Sequence, residues 1–256
     1  WMSFQTGRGR NTSFGGLANI ERLGSDPVFI RALTNTMTFL IIQVPVMIVL
    51  ALFLAVLLNS PRLRGRAFFR TAIFLPCVTS LVAYSILFKS MFATDGVVND
   101  ALMALNLVDS PIPWLGQPFY AKIVIILAIT WRWTGYNMIF YLAALQNIDR
   151  SIYEAARIDG VPAWAQFWRI TVPMLKPVIL FTTIISTIGT LQLFDEVNNI
   201  TQGGPSDGTL TLSLYIYNLT FKFMPSFGYA ATVSYVIVLL VAVLSLVQFM
   251  AARDRK

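Results

Sequence analysis

At 256 residues, 56% of them hydrophobic and only 12% charged, with a mean hydropathy of +0.67, the chain is far more apolar than a soluble domain, in which about a quarter of residues carry charge. A formal charge of +7 raises nucleic acid as a partner, but the basic residues are scattered between apolar runs, so a membrane protein explains them better and no nucleic-acid partner is expected. With no His and a single Cys, Cys77, the chain offers neither an internal disulfide nor a zinc-type cluster.

Residues 1–30 are polar and contain glycine, and are expected to form an extramembrane arm. Gly7-Arg8-Gly9-Arg10 lacks both the strand context and the Lys-Ser/Thr of a phosphate loop. Residues 32–61 carry no charge, more than the roughly 20 residues a helix needs to span a bilayer. After Arg62, Arg64, Arg66 and Arg70, a second charge-free run covers 71–88, with a kink expected at Pro76. Residues 89–118 read as a loop with a short helix over 97–108. A third span is expected over 119–145, interrupted only by Lys122 and Arg132, and a fourth over 178–194. The run 208–221 is too short to cross and reads as extramembrane or re-entrant, and a last span covers 228–252 before Arg253-Asp254-Arg255-Lys256. The expected fold is therefore an all-α integral membrane protein with five spans.

Residues 146–177 stand apart as a charged connector. Ile148, Ile152, Ala155, Ala156 and Ile158 are apolar or small, with Asp149, Glu154, Arg157 and Asp159 mostly opposite, the pattern of a short amphipathic helix. Gly160 suits the left-handed turn that ends it, and Pro162 the first turn of a second helix carrying Trp164, Phe167 and Trp168. Pro173 and Pro177 are expected to break that second helix.

Glu154-Ala155-Ala156, Asp159-Gly160, and then Ile170, one residue, and Val172-Pro173 resemble the EAA loop of ABC importer permeases, whose pattern ends Ile-x-Leu-Pro; Val172 replaces that Leu. Asn35-Thr36, the stretch from Arg64 to Arg70 followed by Leu75-Pro76, Trp114-Leu115, Thr201-Gln202-Gly203-Gly204-Pro205 and Gly228-Tyr229-Ala230-Ala231 resemble the sugar-type branch, to which maltose, lactose and glycerol-3-phosphate systems belong. The resemblance covers nearly the whole chain. It implies an ABC importer transmembrane domain over 31–256 whose loop 146–177 docks on an ATPase, with Glu154, Ala155, Ala156, Asp159, Gly160 and Pro173 as coupling residues.

It further implies a second permease subunit as heterodimer partner, two copies of an ATPase subunit holding ATP and Mg, an extracytoplasmic solute-binding protein, and a sugar substrate in a bacterial or archaeal inner or plasma membrane. No cofactor is expected on this chain, and with no Gly-x-x-x-x-Gly-Lys-Ser/Thr and no Ser/His pair it is not expected to be an enzyme.

With the loop cytoplasmic, that side collects Arg62, Arg64, Arg66, Arg70, Arg150, Arg157, Arg169, Lys176, Arg253, Arg255 and Lys256, as the positive-inside rule favours. The C-terminus is then cytoplasmic, residues 1–30 form an extracytoplasmic arm, and a sixth span is expected upstream.

The third span holds Trp131, Arg132, Trp133, Tyr136, Asn137 and Phe140, and Arg132, Trp133, Tyr136 and Phe140 share one helical face. A mid-membrane charge is costly unless it faces a cavity or partner, aromatic rings stack on sugar C–H faces, and polar groups bond hydroxyls. The same residues also suit plain helix packing, with Arg132 paired to a carboxylate of either permease subunit. Alignment to sugar-holding relatives adds Thr190, Gln192 and Phe194 and places Tyr136 on a sugar-contacting position, and Tyr84 on the second span is a further candidate. Tyr136 and Gln192 are expected to face one cavity from neighbouring spans. The rival class is an ion-coupled secondary transporter or channel, which is expected to place acids or His in its spans; this chain has none there.

Overall fold

The computed structural model describes residues 1–8, 11–60 and 63–252. Gly9, Arg10, Arg62 and the basic close Arg253-Asp254-Arg255-Lys256 lie outside the described residues. Residues 1–30 are more ordered than a polar arm requires: strands β1 (Gln5–Arg8) and β2 (Asn11–Phe14) pair antiparallel, with Gln5 opposite Phe14, and helix α1 (Ala18–Ser25) comes next. Asp26 then accepts the backbone N–H groups of Val28 and Phe29 at 3.0 and 3.3 Å, and Pro27, which has no N–H to satisfy, opens the next helix. This cap starts α2 (Pro27–Asn59) ahead of the charge-free run and carries it through Pro45.

The second apolar run divides into α3 (Arg66–Val78) and α4 (Leu81–Met91). Pro76 lies inside α3, so the break falls later than expected, at Thr79 and Ser80. There the backbone turns extended, and the Thr79 hydroxyl donates to the Pro76 carbonyl at 2.7 Å, closing the helix end. Helix α5 (Val97–Ala104) is shorter than the 97–108 expected, ending ahead of Asn106, whose φ is 53°. Helix α6 (Pro118–Gln146) covers the third run, and α7 (Arg150–Ile158) the connector.

Helix α8 (Ala163–Gln166) continues through a wide π turn, Phe167–Thr171, into α9 (Val172–Leu191), so Pro173 and Pro177 do not break the segment as expected. In the wide turn Val172 donates five residues back, to Phe167, which opens room for the Pro173 ring where a tight turn would clash. Short α10 (Asp195–Ile200) and α11 (Leu212–Tyr217), the latter leading into a π turn at Asn218–Lys222, precede the final α12 (Phe227–Ala252). Among the described residues four segments, Pro27–Asn59, Pro118–Gln146, Ala163–Leu191 and Phe227–Ala252, are long and apolar enough to cross a membrane, and α3 with α4 make a fifth if taken as one span.

The chain forms two compact units. One comprises Trp1–Gln43, Ser80–Ile129 and Thr187–Leu244; its core includes Tyr84, Phe88, Phe92, Val124, Ala128 and Ile200. The other comprises Val44–Thr79, Thr130–Ser186 and Ser245–Lys256, and packs Ala51, Leu58, Met138, Tyr141, Leu145 and Leu175. Ile41, Phe53, Val238 and Leu239 remain exposed on their helices, as side chains meant to meet lipid are.

Candidate functional site

The connector keeps most of its charged groups outward. Asp149 caps α7 by accepting the Ser151 N–H at 2.9 Å, a bond that holds its carboxyl below the ordinary aspartate range. Gly160 ends the turn with φ 72°, a conformation that disfavours side chains, as its position in the sequence implies. Tyr153 reaches from α7 to Thr171 on the π turn, hydroxyl to hydroxyl at 2.9 Å. Among the expected coupling residues only Ala156 is buried; Glu154, Ala155, Asp159, Gly160 and Pro173 are exposed.

The expected apolar face of α7 is not simply turned inward. Ile148 packs on the core, but Ile158 is 86% exposed, and Trp164 and Trp168 on the adjoining segment are also exposed. An uncovered Ile and two Trp beside Glu154 and Arg157 give the loop the mixture of anchors and charges that a protein interface uses.

Along α6, Arg132 is buried, donating to the Thr79 carbonyl at 3.3 Å with its guanidinium 5.6 Å from the Trp133 ring. Trp133, Tyr136 and Phe140 form a continuous edge-to-face ladder, with centroids 5.7 and 5.0 Å apart, and Phe181 extends it at 5.9 Å. All three α6 rings are half-buried, as the shared face in the sequence implies. The neighbouring residues diverge: Trp131 is exposed, whereas Asn137 is buried, giving its amide to the Trp133 carbonyl at 3.0 Å and to the Met47 sulfur at 3.5 Å. A missed residue is Gly135, whose Cβ would strike the Ile73 carbonyl, so a glycine lets α6 meet the backbone of α3 beside the aromatic ladder.

In the other unit, Tyr84 is buried, edge-on to Phe88. Thr190 is buried near the end of α9 and donates to Gln43 Oε1 at 3.0 Å; that partner on α2 was not singled out by the sequence. Gln192 and Phe194 lie beyond the helix the sequence places them on. Gln192 is exposed and Phe194 is half-buried, 5.1 Å from Tyr217.

Several of the sequence motifs meet one another. Asn35 donates to the carbonyls of Asp207 and Leu210 at 2.9 and 3.0 Å, and Thr36 accepts from Leu212, so Asn35-Thr36 clasps the chain just after Gly203-Gly204-Pro205. Tyr229 donates to Asp26 at 2.7 Å, and Tyr215 does the same. Burial pushes the Asp26 carboxyl up, but these two hydroxyls and the N–H groups of Phe29 and Val28 outweigh it and hold the group below its ordinary value.

Several helices apolar enough to cross a bilayer, an outward-facing charged connector and a half-buried aromatic face beside a buried cation define a helical membrane protein. The chain belongs to the family described as binding-protein-dependent transport system inner membrane component, whose match covers residues 27–256. It is 70% identical over its full length to the lactose transport system permease protein of Rhizobium radiobacter, covering 86% of that protein. Identity is 35% to the arabinooligosaccharides transport system permease protein of Halalkalibacterium halodurans, over 96% of this chain and 78% of the relative. A crystal structure of a bacterial ABC transporter that imports the acidic polysaccharide alginate matches 93% of this chain and 83% of its own, at 26% identity and a TM-score of 0.83. The same values hold for the alginate transporter in complex with its alginate pentasaccharide-bound periplasmic protein.

Proposed function

We propose that this chain is the sugar-translocating permease subunit of an ATP-driven, binding-protein-dependent importer, with a lactose-type disaccharide as the first candidate substrate. The observation that carries the reading is the 70% identity over the entire chain to a lactose permease. In this reading loop 146–177 faces the cytoplasm and inserts α7 into one of two ATPase copies, with Glu154, Asp159 and the exposed Ile158 as contacts. ATP and Mg stay on the ATPase, and this chain binds neither. A second permease subunit completes the pathway, and residues 1–30 lie outside the cell, where the solute-binding protein delivers sugar.

The transport cycle is alternating access: ATP binding closes the ATPase dimer, α7 moves with it, and the spans open outward to receive sugar. Trp133 and Tyr136 are the proposed ring contacts to sugar C–H faces and Arg132 the proposed polar contact beside them, while Gln192 and Thr190 of the other unit are proposed hydrogen-bonding residues. Tyr84, Trp131, Asn137 and Phe194 remain in the proposed set, with Asn137 acting through the α6 backbone it bonds. Deleting the gene in a host that carries the rest of the system tests the substrate class. Loss of uptake of lactose, or of another sugar in a panel of disaccharides and arabinose oligomers, supports the reading. Unchanged uptake of every sugar contradicts it.

A further inference from the structure

The first turns of α2 and α6 and the loop at residues 206–208 enclose a cavity of about 640 Å³, within the roughly 300 to 1,000 Å³ typical of small-ligand sites. Two cations line it, Arg31 from α2 and Lys122 from α6. Among the described residues no carboxylate does, since Asp207, in the same loop, lines a different cavity. Arg31 is exposed and donates once, to the Ser206 carbonyl at 3.0 Å, which leaves most of its guanidinium donors open to a ligand. Lys122 is half-buried, its ammonium is not sealed from the surface, and it has no hydrogen bond or ion pair among the described residues. Two like charges around one space repel each other until an anion sits between them.

The walls are held before any ligand arrives. Arg31 ties the loop to α2, and Asn35 does so again through the carbonyls of Asp207 and Leu210. At Gly208 a Cβ would come within 2.5 Å of the Pro118 ring, so a glycine lets the loop lie against the start of α6.

Depth says which anion. The 33 residues of α2 and 29 of α6 make rods about 50 and 43 Å long, against a hydrocarbon core of about 30 Å, so their first turns stand at headgroup level. Arg31 and Lys122 each follow by four residues the proline that opens their helix, about 6 Å in, where basic side chains reach back to the lipid phosphates. Ile30, also in the lining and exposed, gives the cavity an apolar edge towards acyl chains.

We propose that this cavity holds the phosphate of an anionic phospholipid headgroup between Arg31 and Lys122, with the Ser206 hydroxyl as a further donor. A headgroup that also carries an ammonium fits less well, because no carboxylate lines the cavity to receive it. The lipid site is independent of which solute is carried.

The test uses the complete importer with Cys77→Ser and Thr34→Cys and no cysteine in the other subunits, so that a bimane fluorophore sits on the exposed wall of the cavity. Phosphatidylcholine nanodiscs are assembled with rising mole fractions of nitroxide-labelled phosphatidylglycerol or nitroxide-labelled phosphatidylcholine, and quenching is read. Phosphatidylglycerol is expected to quench at a several-fold lower mole fraction. Lys122→Gln, which breaks no bond within the chain, should remove that preference, and Lys122→Arg should retain it. Equal quenching by the two lipids, an unchanged preference in Lys122→Gln, or loss in both variants would overturn the site. Relief of the preference by millimolar inorganic phosphate, beyond the effect of chloride at equal ionic strength, would overturn the lipid in favour of a free anion. An unchanged preference in Lys122→Gln together with lost stimulation of ATPase activity by the binding protein would give this face to an acidic protein surface instead.

Discussion

A guanidinium buried in an apolar span has to be held by something, and Arg132 is held by the Thr79 carbonyl and the face of Trp133. Arg132→Ala should therefore act first on the fold: the thermal midpoint of the purified protein should drop, by a loss of about 1–3 kcal/mol for a buried charge-assisted bond, before any transport defect is interpretable. Tyr136 and Gln192 are proposed to touch sugar. Truncating either to Ala should cost on the order of 1 kcal/mol, a several-fold loss of transport with basal ATPase activity retained. A double variant that transports at the normal rate would move the sugar site to the other permease subunit. Asp26 gives a pH signature, because its folded-state carboxyl lies below the ordinary aspartate value of about 3.9. It adds stability above that value, and the contribution is lost as pH falls through the folded one. Thermal unfolding of the purified protein should fall steeply below about pH 4, and Asp26→Asn should flatten that slope. The Asp26-Pro27 pair is a helix-start signal that a reading by charge-free length, which opens the span at residue 32, passes over. The bonds of Asp26 to Tyr215 and Tyr229 carry no such signal, because they join positions far apart in the chain that no local pattern connects.

Among elements, the connector is the most legible. An amphipathic pattern and a glycine at the turn specify a short helix and its end, and α7 with Gly160 at φ 72° realises them, with Asp149 as the cap that the pattern did not single out. The passage from α8 into α9 is less legible, because a proline rule that ends helices in water does not account for a π turn that opens space for Pro173. The break at Thr79 and Ser80 escapes the sequence for the same reason: Pro76 marks the neighbourhood, but the extended backbone and the Thr79 hydroxyl decide the residue. Charge reversal by Glu154→Lys changes an exposed side chain without disturbing the core, so the folded protein should survive while ATP hydrolysis is uncoupled from uptake. Gly160→Val should act similarly by placing a β-branched residue at positive φ. Both are read as the ratio of sugar moved to ATP hydrolysed in vesicles, and wild-type ratios for both would remove α7 from the coupling path.

For the whole molecule, apolar length alone gives the crossing helices, since the bilayer imposes one length on every span. Helices α10 and α11 are too short for that rule, and the Asn35 and Thr36 contacts that seat the chain around α11 join residues far apart in the sequence. Orientation is set by where basic residues gather: a cysteine at Ser206 should react with an impermeant reagent from outside the cell, and one at Gln166 should not. The reverse pattern would invert the topology and withdraw the coupling loop. The central claim is that ATP, and not an ion gradient, drives sugar through this subunit. Its most direct measurement is radiolabelled lactose uptake into vesicles holding both permease subunits and the ATPase, with binding protein outside and ATP inside. Uptake is expected only with ATP and binding protein present together, and to persist when ion gradients are collapsed. Uptake that continues without ATP and stops when those gradients are collapsed would contradict it.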